Sequence, residues 1–284
     1  MKTAKVIILA GQSNAVGVGY THCLPKHFSS EKVQEYKNGY ENVLINYFSH
    51  DISSIRFEKT RTGCAEKTKD TFGPEIGIAE FLSEKYPDEE FFIVKCAFGG
   101  TNLYHDWLSP SSGEEYNSQS CALGDSDSPH YRSGGWCFNE LVKLVHQSVF
   151  ILECMGYKTE ICALCWMQGE SDALDMTHVN NYRSHYENML RDFNDAFGDF
   201  TKNCVYADAG ISEIWQYYRE INEHKKEHAN STANSFYIDT LAEGFTTLNE
   251  PESEPDTAHY DSDCTVRLGT LFAREIIKGK LFAD

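Results

Sequence analysis

The sequence has no long apolar run. A helix that crosses a membrane needs about 20 consecutive apolar residues, and no stretch of the 284 residues comes close to that length. The first apolar run, at 6–10, is short, and no convincing small-residue cleavage site follows it. We therefore expect no transmembrane helix, no secretory signal peptide and a cytoplasmic location.

Positive charge is scarce. The chain has 25 Lys and Arg residues against 43 Asp and Glu residues, which gives a formal net charge of −18. A surface of this sign repels nucleic acids and anionic membranes and favours solubility. We expect neither of these partners, whereas a small neutral substrate is compatible with the charge.

A metal-binding pattern is also missing. Cys162 and Cys165 have the C-x-x-C spacing of a zinc or redox pair, but they lie in an apolar, strand-like run. Residues three apart on a strand face opposite sides, so the two thiols do not converge on one ion. We expect no metal or cofactor, and buried free thiols for most of the ten cysteines. A disulfide stays open among four cysteines of looser segments: Cys23, Cys64, Cys121 and Cys137.

Apolar runs alternate with helical patterns along the chain. Near-continuous apolar runs are typical of strands in a covered parallel sheet, and they occur at 6–10, 91–97, 161–167, 204–207 and 236–238. Helical periodicity with start and stop signals occurs at 75–86, 138–155, 179–197, 214–228 and 265–278. The alternation predicts an α/β fold, a three-layer α/β/α sandwich with a central parallel sheet of flavodoxin-like type. We interpret residues 1–284 as a single domain, without repeats or linkers.

Two stretches fall outside this alternation. Residues 18–70 have weak strand and turn signals, with one candidate strand at 43–47. Residues 101–135 are rich in Ser, Gly, Asp and Tyr, with Trp107 inside the stretch and Trp136 just beyond it. Long loops in compact domains are often functional. These aromatic residues therefore indicate either a substrate rim or structural anchors of a surface loop.

The first strand runs directly into the segment Gly11–Asn14, which places Ser13 in a turn. A strand end is rigid, and a helix that starts after it offers free N–H groups to a developing oxyanion. This placement suits a nucleophile. Alternatively, Ser13 or Asn14 serves as the N-cap of the next helix.

Polar residues follow two further strands. The run at 91–97 leads into Phe98–Asn102, and the run at 161–167 leads into Gln168–Asp172. In open α/β sheets, ligands bind at the carboxyl ends of the strands. We therefore expect these segments to meet Ser13 at one edge of the sheet.

A histidine with an acid three residues before it precedes the last helix. His259 is the best candidate among eleven histidines for the base that Ser13 needs, and Asp256 can turn back to its other ring nitrogen. Asp261 is an alternative acid, but it lies only two positions from the histidine. In isolation, this pattern is also compatible with a structural histidine.

Three groups are candidates for the oxyanion hole. The backbone N–H groups of Ser13 and Gly100 can face the oxyanion, and the side chain of Gln168 can add a donor. Gly99-Gly100 is equally compatible with a plain turn, and Gln168 and Glu170 with helix caps.

Taken together, these segments resemble the SGNH/GDSL hydrolase superfamily, and more closely its carbohydrate-esterase family 6 or sialate O-acetylesterase-like branch. The resemblance spans nearly the whole chain and is carried by Ile8–Asn14, Phe72–Glu75, Phe98–Thr101, Trp166–Asp172 and Asp256–Tyr260. It implies an SGNH-type fold and a metal-independent Ser-His-Asp hydrolase that removes acetyl groups from sugars.

The resemblance also supports an oxyanion hole built from Ser13, Gly100 and Gln168. Gln12, Asn14 and Glu170 are then expected to support the site. The chain departs from the superfamily in lacking the usual third-block asparagine, and Gln168 is its expected substitute.

The leading hypothesis is therefore a serine esterase acting on an O-acetylated sugar or oligosaccharide. A lipase or thioesterase on the same scaffold is an alternative, although the polar segment 101–135 disfavours a long apolar groove. A catalytically silent carbohydrate-binding protein is another, against which the intact Ser13, Asp256 and His259 argue.

Overall fold

The computed structural model describes residues 2–49, 52–64, 70–113, 116 and 133–279. Its strands are β1 (Thr3–Gly11), β2 (Gly19–Tyr20), β3 (Tyr40–Ser49), β4 (Ile52–Ser53), β5 (Glu58–Thr60), β6 (Thr71–Phe72), β7 (Phe91–Ala97), β8 (Lys158–Met167), β9 (Val205–Ala209) and β10 (Ser235–Ile238). Its α-helices are α1 (Ser13–Val16), α2 (Ser30–Asn38), α3 (Glu75–Lys85), α4 (Trp136–Cys154), α5 (Met176–Phe197), α6 (Tyr218–Ser231) and α7 (Ser262–Lys278).

The central sheet has the strand order β10-β9-β8-β1-β7-β3-β4, and β5 also pairs with β3. The pairs from β10 to β3 are parallel, whereas β4 and β5 run antiparallel to β3. The α/β prediction is confirmed, and the all-parallel expectation needs correction at the β3 edge. Short strands with a polar face, such as β5, have no apolar run to reveal them.

The three central strands of the sheet are β8, β1 and β7. Every residue of β7 is buried, and so are the last six residues of β1. Apolar side chains on both faces of these strands form the core, because helices cover a sheet of this kind on both sides. This burial explains why the three central strands are the clearest in the sequence.

The weakly patterned stretch 18–70 contributes helix α2, strand β3 and the short strands β2, β4 and β5. Strand β3 pairs with β7 inside the sheet. Buried and half-exposed residues mix along β3, so only part of it reads as an apolar run. The expected helix at 214–228 starts later, at Tyr218, and continues to Ser231.

Trp107 and Trp136 are anchors of the loop after β7. Both indoles are buried and pack near Phe98. The Trp107 Nε1 donates to Thr101 Oγ1 at 2.9 Å, and the Trp136 Nε1 donates to Asp106 Oδ1 at 3.2 Å. Of the two interpretations for these tryptophans, the structure favours the structural one. Most of 114–132 lies outside the described residues.

Of the cysteines whose pairing the sequence left open, Cys23 and Cys64 are buried free thiols, and Cys137 is buried. Cys121 lies outside the described residues. Cys162 occupies an irregularity in the pairing of β1 with β8, and burial raises the pKa of the Cys165 thiol well above its ordinary value. Buried thiols that stay protonated at neutral pH are unreactive.

Candidate active site

The carboxyl ends of β1, β7 and β8 meet at one edge of the sheet. Gly11, the last residue of β1, is in register with Ala97 of β7 and Met167 of β8. Gly11 has a φ of +141°, and a Cβ placed on it would lie 1.9 Å from the Met167 carbonyl oxygen. Only glycine fits such a close approach. The three polar segments therefore start side by side, as the sequence predicts.

Ser13 begins α1 directly after the β1 end. It is half-buried, and its carbonyl accepts a hydrogen bond from the Gly17 N–H at 2.8 Å, which closes the turn. The preceding residue, Gln12, is buried. Its Oε1 accepts from the backbone N–H groups of Gly169 at 3.4 Å and Ser171 at 3.2 Å. Gln12 thus ties the serine turn to the segment after β8.

Asp256 and His259 form the expected pair. Asp256 Oδ2 lies 2.6 Å from His259 Nδ1, and Asp256 Oδ1 accepts from the Ala258 N–H at 2.9 Å. The carboxylate fixes the tautomer in which Nδ1 carries the proton, which leaves Nε2 free to exchange one. Both side chains are about one-quarter exposed, at 23% for His259 and 27% for Asp256, so solvent and substrate can reach them.

Asp261 faces a different partner. Its buried carboxylate accepts from Thr246 Oγ1 at 2.5 Å, from the Asn249 backbone N–H at 3.1 Å and from Asn249 Nδ2 at 2.5 Å. These bonds hold the 246–249 loop at the start of α7. Of the two acids that the sequence left open, Asp256 is the one in contact with His259.

Asn14 joins the serine turn to the histidine loop. Its Oδ1 accepts from the Tyr260 N–H at 3.0 Å, and its Nδ2 donates to Glu170 Oε1 at 2.8 Å. Tyr260 adjoins His259, and Asn14 adjoins Ser13. The described hydrogen bonds do not include one between Ser13 and His259 themselves, so Asn14 supplies the direct connection between their segments.

Two backbone donors are free at this edge. Within the described residues, the N–H groups of Ser13 and Gly100 donate to no acceptor. Gly100 has a φ of +72° and is exposed, and open space surrounds the position of a Cβ on it. These unused N–H groups have the character that an oxyanion hole requires.

Gln168 has a different environment from the one expected. Its side chain is fully buried, and its Nε2 donates to Asp172 Oδ2 at 2.5 Å and to the Thr101 carbonyl at 3.2 Å. A further contact joins Nε2 to Gln12 Oε1 at 3.3 Å. The amide therefore binds the three strand-end segments to one another, and its direct role toward an oxyanion stays a prediction.

Asp172 anchors the loop after β7, a role that sequence reasoning missed. Its carboxylate accepts from the Leu103 N–H at 2.9 Å and the Tyr104 N–H at 3.1 Å. Burial raises the pKa of Asp172 to about 7, although the donors at Leu103, Gln168 and Tyr104 oppose the rise. The sequence signal was its place in the segment Trp166–Asp172.

A pair of buried charges lies beside the segment after β8. Lys225 of α6 and Asp208 of β9 are 2.5 Å apart and almost fully buried. Neither residue stands out in the sequence, since Lys225 belongs to a charged helix that reads as exposed.

Neither a metal centre nor a membrane span is found in the described parts of the chain. No group of three or more His, Cys, Asp or Glu residues there is placed to hold a metal ion. None of the helices there is long and apolar enough to cross a bilayer.

Comparison with solved structures identifies neighbours of the same fold. An Arabidopsis thaliana protein superposes with a TM-score of 0.65 at 18% identity, covering 96% of this chain and 98% of that one. NanS superposes with a TM-score of 0.61 at 15% identity, covering 98% of this chain and 97% of that one. XAC1771, a carbohydrate acetylesterase from Xanthomonas citri, superposes with a TM-score of 0.57 at 16% identity, covering 97% of this chain and 57% of that one.

Comparison at the level of sequence identifies the family. No curated protein matches the chain. The family model described as carbohydrate esterase, sialic acid-specific acetylesterase matches residues 3–278. Because this match covers nearly the whole chain, the protein belongs to that family and is a carboxylic ester hydrolase.

Proposed function

We propose that the protein is a serine esterase that removes O-acetyl groups from a carbohydrate, with Ser13, His259 and Asp256 as its triad. The observation that carries this proposal is the Asp256–His259 pair, 2.6 Å apart, on a loop bonded through Asn14 to the serine turn. The family supplies the substrate class, an acetylated carbohydrate.

The reaction follows from these positions. His259 Nε2 takes the Ser13 proton as Oγ attacks the acetyl carbonyl carbon, and the tetrahedral intermediate collapses with proton transfer from His259 to the departing sugar hydroxyl. Water then attacks the acetyl-serine with His259 again as base, and His259 passes this proton to Ser13 Oγ as the acyl–oxygen bond breaks and acetate leaves. Asp256 stabilises the imidazolium in both halves. The described hydrogen bonds include none between Ser13 and His259, and catalytic hydrogen bonds of this kind often tighten only when substrate binds.

The oxyanion of each tetrahedral intermediate is assigned to the backbone N–H groups of Ser13 and Gly100. Both donors are unused within the described residues, and such donors act best when they are already oriented. Gln168 completes the predicted set. Its buried contacts with Asp172, Thr101 and Gln12 favour an indirect contribution, in which it fixes the segments that carry the donors.

The deciding experiment is a screen of O-acetylated sugars, O-acetylated sialic acids included, with acetate release as the readout. We expect turnover by the wild-type protein and a loss of at least about 1,000-fold in Ser13→Ala, which is typical for a lost triad member. Ser171→Ala, a nearby half-exposed serine, is the matched control. Retention of more than about a tenth of the activity by Ser13→Ala would exclude Ser13 as nucleophile.

The same assay separates the alternatives. A silent carbohydrate-binding protein would bind sugars without releasing acetate. A lipase or thioesterase would prefer octanoyl esters or thioesters to acetyl esters. A cytoplasmic location and the absence of nucleic-acid and membrane partners remain part of the proposal.

A further inference from the structure

Lys225 is a buried cation on an otherwise polar helix. Its side chain has no exposed surface, and its Nζ donates to Asp208 Oδ1 at 2.5 Å and to the Ala209 carbonyl at 3.0 Å. Burying an ammonium group is costly unless it is paired and hydrogen-bonded. These contacts place a compensated charge at the carboxyl end of β9.

The Lys225 side chain lies next to residues 168–169, which follow β8. A Cβ built on Gly169 would lie 3.4 Å from Lys225 Cε, so the lysine stem packs against this residue. Lys225 Nζ also lies 5.6 Å from the centroid of the Tyr182 ring, whose hydroxyl donates to the Gln168 carbonyl at 3.1 Å. Lys225 and Tyr182 thus support residues 168–169 from the helical layer.

Glu170 is the next residue in this segment, and it is fully buried. One of its oxygens accepts from Asn14 Nδ2 at 2.8 Å, whereas its Oε2 has no hydrogen-bond partner. Asp208 Oδ2 likewise has no partner. Both of these buried carboxylates interact electrostatically with Lys225, whose ammonium group donates to Asp208.

The titratable groups that face Glu170 come from three elements: Lys225 of α6, Asp208 of β9, and His259 and Tyr260 of the loop before α7. Burial raises the pKa of Glu170, and the Asn14 hydrogen bond, the charge of Lys225 and that of His259 act against the rise. Burial also raises the pKa of Asp208, to about 6. Among the groups that face Glu170, Lys225 is the buried cation that favours its ionised form.

We propose that Lys225 is a positioning residue of the esterase site: its ammonium group keeps Glu170 ionised, and ionised Glu170 acts through Asn14 on the His259 loop. This inference rests on the proposed function. The chain of contacts is continuous, from Lys225 against Gly169, through Glu170 to Asn14, and from Asn14 to the N–H of Tyr260 beside His259.

The arrangement has an electrostatic consequence. When His259 takes a proton from the serine, it becomes an imidazolium cation, and Asp256 is only partly shielded from water. A second negative charge in a buried position is screened less by solvent and stabilises that cation. Without the charge of Glu170, His259 is a weaker base.

The test compares four variants by the pH dependence of kcat/KM on an acetyl ester and by thermal unfolding. In Glu170→Gln, which keeps the acceptor for Asn14 but loses the charge, we expect the acid-side midpoint to fall by about half to one pH unit. Lys225→Met should shift it in the same direction, because Glu170 then takes up a proton. Both variants should lose about tenfold in kcat, with little change in KM.

Asp208→Asn and Leu152→Ala are the matched controls. In Asp208→Asn, Lys225 loses the charge of Asp208 and keeps that of Glu170. The acid-side midpoint of kcat/KM should therefore stay or rise. Leu152 is buried in α4 beside the amino end of β8, at the opposite edge of the sheet. Its variant should lose stability with no shift in the midpoint.

The proposal is overturned if Glu170→Gln leaves the midpoint in place, or if Asp208→Asn lowers it as much as Glu170→Gln does. Should Lys225→Met fail to fold, Glu170→Gln and Asp208→Asn still decide the question. A different result would contradict the proposed function, namely a Ser13→Ala variant that retains the turnover of the wild type.

Discussion

At the scale of single residues, the candidate site depends on which acid faces His259. Two acids three and two positions away in sequence have different surroundings in the fold. Asp256 Oδ2 lies 2.6 Å from His259 Nδ1. The carboxylate of Asp261 instead accepts hydrogen bonds from Thr246 and Asn249. Spacing favours Asp256 because a carboxylate three residues away can fold back within one turn of chain.

Exchanging each acid for its amide should separate these roles. We expect Asp256→Asn to keep the fold and to lower kcat by about 10,000-fold, since the imidazole loses its orienting carboxylate and its tautomer. Asp261→Asn should lower the melting temperature and leave kcat within about threefold, because its partners lie in the 246–249 loop. Steady-state kinetics and thermal scans on both variants check this. If Asp261→Asn is the more damaging to turnover, the triad has the wrong acid.

Gln168→Ala distinguishes an oxyanion donor from a residue that only holds the strand-end segments together. Loss of an oxyanion donor alone typically lowers kcat by about 100- to 1,000-fold. Because the Gln168 amide is buried among Asp172, Thr101 and Gln12, we expect kcat and the melting temperature to fall together, with KM little changed. A large loss of kcat at unchanged melting temperature would instead make Gln168 a direct donor. A change confined to KM would make it a substrate-binding residue.

At the scale of elements, a buried carboxylate from the segment after β8, that of Asp172, holds the loop after β7. Asp172 accepts from the N–H groups of Leu103 and Tyr104, close to Gly100. Its pKa is about 7 in the folded protein against an ordinary value of 3.8. Between pH 3.8 and about pH 7, Asp172 keeps a proton in the native state that it has already released in the unfolded chain. The stabilisation from this proton is therefore full at low pH and is lost as the pH rises to about 7.

Replacing Asp172 by Asn should remove this dependence. We expect the melting temperature of the wild type, relative to that of Asp172→Asn, to fall from about pH 5 to about pH 8. Asp199→Asn is the control, because its carboxylate is exposed. A difference between wild type and Asp172→Asn that stays constant over this range would contradict the assignment.

The contact between α3 and α7 depends on two glycines. A Cβ on Gly77 would lie 1.9 Å from the Val266 carbonyl oxygen, and one on Gly269 would lie 1.9 Å from the Pro74 carbonyl oxygen. Backbone atoms cannot move aside as a flexible side chain does. We expect Gly269→Ala to lower the free energy of unfolding by at least about 1–3 kcal/mol, the usual cost of overpacking.

Chemical denaturation measures that effect. Arg274→Ala, at an exposed position of the same helix, should change the free energy of unfolding by less than about 0.5 kcal/mol. Equal stability of Gly269→Ala and the wild type would show that the helices separate without cost.

At the scale of the whole molecule, the chemistry is assigned to side chains and backbone N–H groups of the protein itself. A serine, a histidine and an aspartate need no metal to hydrolyse an ester. We therefore expect esterase activity to survive dialysis against a strong chelator, with thermal stability unchanged. Activity that disappears on dialysis and returns with zinc or manganese would refute this prediction, and an assay with a metal-free buffer is the control.

The sequence by itself determined the α/β class and the segments that carry the chemistry. The central strands β1, β7 and β8 can be recognised in the sequence because both of their faces are buried, which makes them nearly continuous apolar runs. The polar segments that follow them must meet at one edge once the sheet is parallel. Strand β3 and helix α2 escaped full detection because polar and apolar residues mix along them.

Only the tertiary structure decided what each polar residue touches. Lys225 belongs to a helix that looks exposed, yet its ammonium is buried against Asp208. The amide of the buried Gln168 binds Asp172 and Thr101, and the indoles of Trp107 and Trp136 pack inside. Local sequence sets which groups a segment carries. The burial and partners of those groups depend on chain segments distant in sequence, because hydrogen bonds and ion pairs form only where the packed elements bring donors and acceptors within reach.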